Sequence, residues 1–209
     1  MAESIVQVTE GSGKKLHTFQ RTIGANSVED EVMIVGEQYL ASYICRANSA
    51  VSIASAAANS NHILQLMAGA SLNVYVRSIR VYQSALATTA TLGRFELLRL
   101  TTAGTGGGGG AVGLLDPADS AAGAVGMTLP TTNGTEGTLV GAERSAILKQ
   151  TVAAGDIGQL IVAEWVFDTL RSKGLKIAAG TANGIVIKNM VGIAAATVWA
   201  EIVLTEANF

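Results

Sequence analysis

The side chains that most often carry chemistry in enzymes are scarce in this chain and lie far apart. Cys45 is the only cysteine, and His17 and His62 are the only histidines, so no two of these soft ligands have the close spacing that preforms a zinc site. The same two histidines are the only imidazole bases for a serine nucleophile, and no G-x-S-x-G elbow is present. His62 heads an apolar segment, where we expect a packed or capping residue. The sequence therefore predicts neither a metal site nor a nucleophilic catalytic site.

Acidic residues offer calcium binding as a further kind of chemistry. Asp116 and Asp119, together with Glu136 or Glu143, carry suitable oxygen ligands. They do not form a loop with alternating acidic ligands, however, so no calcium site is predicted.

Paired carboxylates for glycoside hydrolysis are formally available in Glu96, Glu164 and Glu201, each inside a predicted strand among apolar neighbours. The simpler interpretation is a strand carboxylate on an outer face that pairs with an arginine. The arginines considered as partners are Arg80, Arg94 and Arg99.

Two arginines lie beside two tyrosines in the segment that contains Tyr75, Arg77, Arg80 and Tyr82. They are compatible with a small basic patch for an acidic partner. A strand that is simply half solvated is the more ordinary interpretation.

A glycine tract between residues 104 and 110 formally contains G-x-G-x-x-G, the dinucleotide-binding pattern. That pattern needs a preceding strand, a following helix and a βαβ unit, whereas here Asp116 and Pro117 follow. A P-loop is excluded because no Lys-Ser or Lys-Thr follows the glycines. Asn133 and Gly134 start a glycosylation sequon, but this dipeptide is better interpreted as a hairpin turn. No cofactor is predicted.

Composition restricts the classes of partner. The chain has 209 residues, of which 49% are hydrophobic and only 14% charged, so part of its surface is expected to lie against other copies or another protein. Aromatic residues make up 5%, which argues against an aromatic sugar-binding platform. The net charge of −2 argues against nucleic acid. A single cysteine excludes an intrachain disulfide. The N-terminal residues do not resemble a signal peptide and no long apolar run is present, so we expect a soluble protein that is made in a cytoplasm and has no membrane partner.

Short apolar segments separated by turn residues recur along the chain and predict about eight strands of an antiparallel β-sandwich, jelly-roll-like in character. We expect residues 62–67 and 72–82 to form a hairpin through 68–71. Within 72–82 the apolar parity changes near Arg77 and Ser78, which is compatible with a β-bulge or with a strand buried on both faces. The other predicted strands are 39–46, 50–54, 92–100, 160–167, 175–178, 184–188 and 197–204.

We predict an N-terminal arm over residues 1–30 and a single sandwich domain over 31–209, in preference to two domains divided by the glycine tract. Residues 103–145 are expected to be an irregular insertion, with a turn or one-turn helix start at Asp116. Residues 143–150 are compatible with a helical turn or a strand. The glycines at 106–110 predict a flexible loop or an excursion at the edge of the fold, since they lose much backbone entropy in a regular element. We expect their deletion to leave folding intact.

Three stretches, about half of the chain, resemble small jelly-roll structural proteins of tailed bacteriophages: residues 62–83 (HILQLMAGASLNVYVRSIRVYQ), residues 95–102 (FELLRLTT) and residues 175–206 (LKIAAGTANGIVIKN, then ATVWAEIVLTE). The resemblance implies a virion structural protein, a head decoration (cement) or minor capsid subunit, commonly a homotrimer, that binds the major capsid protein and reinforces the head. It implies no catalytic, cofactor-binding or metal residues. A fibre or tail module that binds a receptor in a lectin-like way is the alternative.

Overall fold

The computed structural model describes residues 18–23, 26–31, 40–54, 62–85, 91–129, 135, 137–150, 161–167, 174–193 and 195–207. The chain divides into two compact units, residues 1–39 and residues 40–209. In the first unit, β1 (Thr18–Ile23) and β2 (Asn26–Glu31) form an antiparallel hairpin. The predicted boundary between residues 30 and 31 falls inside β2.

The second unit is built from strands, as predicted, and its described residues contain no helix. Accordingly, no described segment is a helix long and apolar enough to cross a membrane. The strands are β3 (Ser42–Ala47), β4 (Val51–Ser52), β5 (His62–Met67), β6 (Asn73–Ala85), β7 (Thr91–Leu100), β8 (Gly110–Leu114), β9 (Val125–Leu129), β10 (Leu139–Gln150), β11 (Ile161–Val166), β12 (Leu175–Ile177), β13 (Gly184–Asn189) and β14 (Thr197–Ala207).

These strands form two antiparallel sheets that pack face to face, which confirms the all-β sandwich. The seven-stranded sheet has the order β11-β6-β14-β3-β8, with β12 also paired to β6 and β4 to β14. The five-stranded sheet has the order β10-β7-β13-β5-β9. Neighbours in each sheet are mostly distant in sequence, so the chain passes repeatedly from one sheet to the other.

The hairpin predicted from residues 62–67 and 72–82 is wrong. β5 lies between β13 and β9, whereas β6 lies between β11 and β14 in the other sheet. The connection at 68–72 turns a corner: the Ala68 N–H donates to the Asn183 carbonyl, and Gly69 packs so closely on Gly123 that a Cβ there would lie 2.8 Å from backbone atoms. Every residue of β5 is buried, whereas a hairpin with one solvated face would alternate.

Alternating aliphatic side chains on the central strands form the core between the sheets. Along β14 the predicted inward face, Val198, Ala200, Ile202 and Leu204, is at most 2% exposed. Because side chains in a strand alternate between the two faces, the residues between them point to the outer face of the seven-stranded sheet.

The parity change in β6 is a β-bulge. Val203 pairs with Ser78 and the next residue, Leu204, pairs with Val76, so Arg77 is the extra residue. On both sides of the bulge one face is buried and the other is only partly covered, which excludes a strand buried on both faces.

Residues 103–145 are more regular than predicted, because they contain β8, β9 and the first half of β10. Residues 143–150 are a strand, and the Asp116 segment is a turn in which the Asp116 carboxylate accepts the Ala118 N–H at 2.9 Å. The insertion adds one strand to each sheet, since β8 pairs with β3 and β9 with β5. The predicted turn at Asn133 and Gly134 lies outside the described residues.

The glycine tract is held by neighbouring backbone and is not a free loop. Gly108 forms a β-bridge with Thr128, the Gly109 carbonyl accepts the Asn48 N–H, and Gly110 begins β8. Gly106 and Gly109 have φ of 79° and 73°, a conformation that favours glycine. The premise of the deletion prediction, a flexible loop outside any regular element, is therefore wrong.

Two glycines of β8 provide a matched test of this packing. A Cβ at Gly110 would lie 2.5 Å from the Met127 backbone nitrogen, whereas a Cβ at Gly113 meets nothing within 4 Å. We expect Gly110→Ala to lower the free energy of unfolding by about 1–3 kcal/mol, as overpacking does, and Gly113→Ala to cost nothing. Urea unfolding of both variants measures this, and equal stabilities would contradict the tight contact of β8 with β9.

Candidate functional site

A row of alternating charges crosses the outer face of the seven-stranded sheet. Glu164 on β11 pairs in register with Arg80 on β6, Arg80 with Glu201 on β14, and Glu201 with Arg46 on β3. The Arg80 Nε lies 2.7 Å from Glu164 Oε1, and Arg80 Nη1 lies 3.8 Å from Glu201 Oε1. Opposite charges directly across strands stabilise the pairing of the strands modestly, so this charge row supports the register of the face.

Tyr82 adds a hydrogen bond to this row. Its hydroxyl donates to Glu201 Oε1 at 2.6 Å. Burial, and then this hydrogen bond, raise the pKa of Tyr82, while the nearby Arg80 opposes the change. The hydrogen bond to Glu164 is the main cause that raises the pKa of the Arg80 guanidinium. At neutral pH the face therefore presents a neutral phenol and a charged guanidinium, and the carboxylate of Glu201 is held by both.

An open groove of about 410 Å³ lies beside the charge row, over β3, β14 and the end of β6. Its volume falls within the roughly 300–1,000 Å³ of small-molecule sites. Trp199, which pairs in register with Tyr82, is 38% exposed there. The polar and aromatic residues that line the groove are Arg46, Asn48, Tyr82, Trp199 and Glu201, and Ala47 and Ala200 complete the lining. We take this groove as the candidate site, because it combines two aromatic side chains with groups of both charges.

The three predicted carboxylates do not meet in one place. Glu164 and Glu201 flank Arg80 in the seven-stranded sheet, while Glu96 lies on β7 in the five-stranded sheet and forms an ion pair with Arg94. The predicted pairing with arginines is thus observed for Arg80 and Arg94. The Arg99 guanidinium donates to the Lys176 carbonyl at 2.9 Å.

The arginines that were considered as a basic patch are not free cations. Arg80 is neutralised by the charge row, and Arg77 donates to the Thr205 hydroxyl at 3.2 Å. Tyr75, on the same face, lies beneath the Lys176 ammonium, which is 5.7 Å from the ring centre. The segment is a half-covered strand, which was the more ordinary interpretation.

The candidate metal ligands are separated. His62 is buried in the five-stranded sheet opposite Lys188, and Cys45 is buried in the seven-stranded sheet. Among the described residues no group of three or more His, Cys, Asp or Glu side chains could hold a metal ion. His17 and Glu136 lie outside the described residues, as does the side chain of Glu143.

Asp116 and Asp119, which were considered as calcium ligands, accept hydrogen bonds from backbone N–H groups. Asp119 accepts the Ser42 N–H at 3.3 Å, and Asp116 caps its own turn. Close by, Glu206, which no sequence signal singled out, is only 6% exposed and accepts the N–H groups of Gly123 and Ala124 at 2.9 and 2.7 Å. Glu206 therefore fastens the loop between β8 and β9 to the end of β14.

Tyr43 completes this buried polar cluster. Its hydroxyl donates to the Ser120 carbonyl at 3.1 Å. Burial is the main cause that raises the pKa of Tyr43, followed by the negative charges of Glu206 and Asp119. The hydrogen bonds of this cluster hold the loop between β8 and β9 against the seven-stranded sheet.

Comparison with family models, curated proteins and solved structures finds no match for this chain.

Sequence reasoning missed Trp199, Arg46 and Asn48 as site residues. Part of the signal was present, because the alternation in residues 197–204 that buries Val198 requires Trp199 to face outward. The neighbours of Trp199 come from β3 and β6, and no local sequence pattern predicts the strand order that brings them together.

Glu206 and Glu164 allow a buried carboxylate to be compared with an exposed one. Glu206→Ala leaves two backbone N–H groups without their charged acceptor, so we expect a loss of about 1.5–3 kcal/mol in the free energy of unfolding. Glu164→Ala removes an ion pair whose side chains are 44% and 41% exposed, and such pairs contribute at most about 1 kcal/mol. Urea unfolding measures both, and an equal or larger loss for Glu164→Ala would contradict the fastening role of Glu206.

Cys45 offers a test of core burial. Desolvation raises the pKa of its thiol to about 12, so the reactive thiolate is scarce in the folded protein. Because the folded pKa is raised, the unfolded chain releases this proton first, and stability falls as the pH rises from the unfolded value towards the folded one. We expect Ellman's reagent to leave Cys45 unlabelled at about pH 8 in native buffer and to label it fully in concentrated guanidinium chloride. Rapid native labelling would contradict the burial.

Proposed function

We propose that the second unit is a jelly roll. Without the short β4 and β12 and the inserted β8 and β9, eight strands remain. Numbered in chain order, they follow 1-8-3-6 in one sheet and 2-7-4-5 in the other. This is the strand order produced by folding a long antiparallel hairpin around a sandwich, which is the jelly roll. The insertion extends both sheets of that fold by one strand at the same side.

The proposed function depends on this fold. The protein is a non-enzymatic structural subunit of a virion that is made in the host cytoplasm. It binds the head lattice as a decoration or minor capsid protein. Jelly rolls serve widely as capsid and lectin domains, so the step from fold to virion is one of analogy. The resemblance of residues 62–83, 95–102 and 175–206 to phage structural proteins supports the same class. The engagement of Glu96 and Glu164 by arginines supports a structural role over a catalytic one.

The observation that carries the assembly proposal is the pair of apolar edges on the seven-stranded sheet. At one edge Leu114 and Leu115 are 39% and 52% exposed, and at the other Ile161 and Val166 are 42% and 57% exposed. Large apolar side chains left in water favour contact with another surface. Because the two edges differ, contact of one edge with the opposite edge of the next copy is heterologous, and such a contact forms a ring, such as a trimer, when the rotation between copies closes.

The first experiment measures the oligomeric mass of the purified protein by light scattering, followed by co-sedimentation with empty phage heads. We expect a stable trimer that pellets with the heads at a fixed stoichiometry. Val166→Glu and Leu114→Glu each place a charge in the apolar contact, and we expect both to give monomers. Leu92→Glu is the matched control, because Leu92 is 60% exposed and belongs to the five-stranded sheet, not to an edge of the seven-stranded sheet.

A monomeric wild-type protein that ignores heads would overturn the structural proposal. A trimer that is unaffected by the edge variants would keep the assembly but remove the edges as its interface. A protein that assembles normally but ignores heads would favour the second candidate, a fibre or tail module that binds a receptor. The observation that supports this second candidate is the groove at Trp199.

A further inference from the structure

The groove over β14 contains polar groups that the fold does not use. Within the described part of the chain, the Arg46 guanidinium, the Asn48 side-chain amide and the Trp199 indole N–H make no hydrogen bond, and Arg46 makes no ion pair. Glu201 uses Oε1 for both Tyr82 and Arg80, which leaves Oε2 directed at no described partner. The groove therefore offers a ligand several donors and one strong acceptor without breaking a bond of the fold.

The groove is pre-organised, although it is open. Tyr82 and Arg80 hold the Glu201 carboxylate at 2.6 and 3.8 Å, and the ladder between β6 and β14 fixes Trp199 beside Tyr82. Both β6 and β14 are central strands of the sheet. Side chains on such strands lose little additional freedom when a ligand binds, which lowers the entropic cost of recognition.

The charges around the groove select against charged ligands. Two guanidinium groups, Arg46 and Arg80, and two carboxylates, Glu164 and Glu201, alternate along the row, so their sum is zero. A phosphate near Arg46 also approaches Glu201, and an ammonium over Trp199 also approaches Arg46. Like charges at such distances weaken binding. A ligand that has many hydrogen-bonding groups but no net charge avoids both penalties.

The aromatic side chains add a flat apolar surface to these polar groups. Trp199 is 38% exposed although it lies on the central strand, and Tyr82 borders it. An aromatic ring that has one face in water packs well against a ligand that has an apolar C–H face and a hydroxylated rim. Pyranose sugars have this character, and adjacent hydroxyls accept from a guanidinium and donate to a carboxylate in a paired arrangement.

We propose that the groove formed by Arg46, Asn48, Tyr82, Trp199 and Glu201 is a binding site for a neutral saccharide. Trp199 stacks on the C–H face of one pyranose ring. Glu201 accepts a hydrogen bond from a sugar hydroxyl, Arg46 donates one to a sugar hydroxyl, and Asn48 borders the ring edge. This site goes beyond the proposed reinforcement of a head and gives the second candidate function its ligand class. It does not depend on where in a virion the subunit is located.

Binding is tested with the full chain on a broad glycan array, followed by titration with the neutral saccharides that score, alongside methyl α-glucoside, methyl β-galactoside and N,N′-diacetylchitobiose. The readouts are saturation-transfer NMR and tryptophan fluorescence. Trp165 is in the core at 9% exposure, so a change in fluorescence at the ligand site reports Trp199. We expect a dissociation constant on the order of 1 mM for a single shallow site.

Variants locate the site. We expect Trp199→Ala and Arg46→Ala each to weaken binding about tenfold or more, because they remove the stacking surface and a charged donor. Arg46→Ala is the cleaner change, since Arg46 makes no hydrogen bond or ion pair in the described structure. Lys176→Ala is the control: it removes an exposed cation that lies over Tyr75, outside the groove. Thermal unfolding verifies that each variant is folded.

The outcomes are distinct from those of the head-binding experiment. Saturable binding of a neutral saccharide that Arg46→Ala and Trp199→Ala weaken, and Lys176→Ala does not, supports the site. The proposal is overturned if no neutral saccharide binds, if both groove variants bind as the wild type does, or if choline or inorganic phosphate binds at the groove in place of sugars. Any of these results leaves the mass and the head co-sedimentation unaffected, so the structural proposal stands or falls separately.

Discussion

The pairing of β14 with β6 is the interaction on which the second unit depends. Eleven residue pairs join the two strands, and β14 also pairs with β3 and β4, so it holds the middle of the seven-stranded sheet. Because side chains alternate with a period of two, the register that buries Val198 and Ile202 also directs Trp199 and Glu201 outward. A slip of one residue would bury Glu201 and expose the aliphatic face. The core and the outer surface are therefore fixed by the same ladder.

The bulge at Arg77 is the second constraint, since it allows β6 to bury apolar side chains in the core on both sides of the bulge. Before the bulge Val74 and Val76 face inward, and after it Ile79 and Val81 do, although the two sets have opposite parity. The extra residue returns Arg80 to the outer face, directly opposite Glu201. Without it the charge row and the groove would have no partner on β6. A local irregularity thus creates the surface that we consider functional.

Most strands could be predicted from sequence, because period-two alternation and turn residues are local signals. The partner of each strand could not be predicted in this way. Residues 68–71 indicated correctly that the chain turns, but a turn signal is the same for a hairpin and for a corner between sheets. β5 is buried on both faces partly because the Gly104 N–H, far along the chain, donates to the Gln65 side chain. The prediction of a flexible loop at the glycine tract was wrong for a related reason. The entropy of glycine is a local property, whereas the Met127 backbone that packs against Gly110 comes from another part of the chain.

Composition does not locate the groove, because a groove depends on where aromatic side chains meet and not on how many there are. A content of 5% argued against an aromatic platform, yet the ladder places Trp199 beside Tyr82 in the middle of an outer face. The exposed apolar side chains at the edges and the groove at the centre occupy different parts of the same sheet. If a ring closed through the edges leaves each groove uncovered, the oligomer presents one groove per copy. Weak binding at each groove would then combine into avidity, and for that reason a structural subunit and a saccharide-binding subunit are compatible roles for this face.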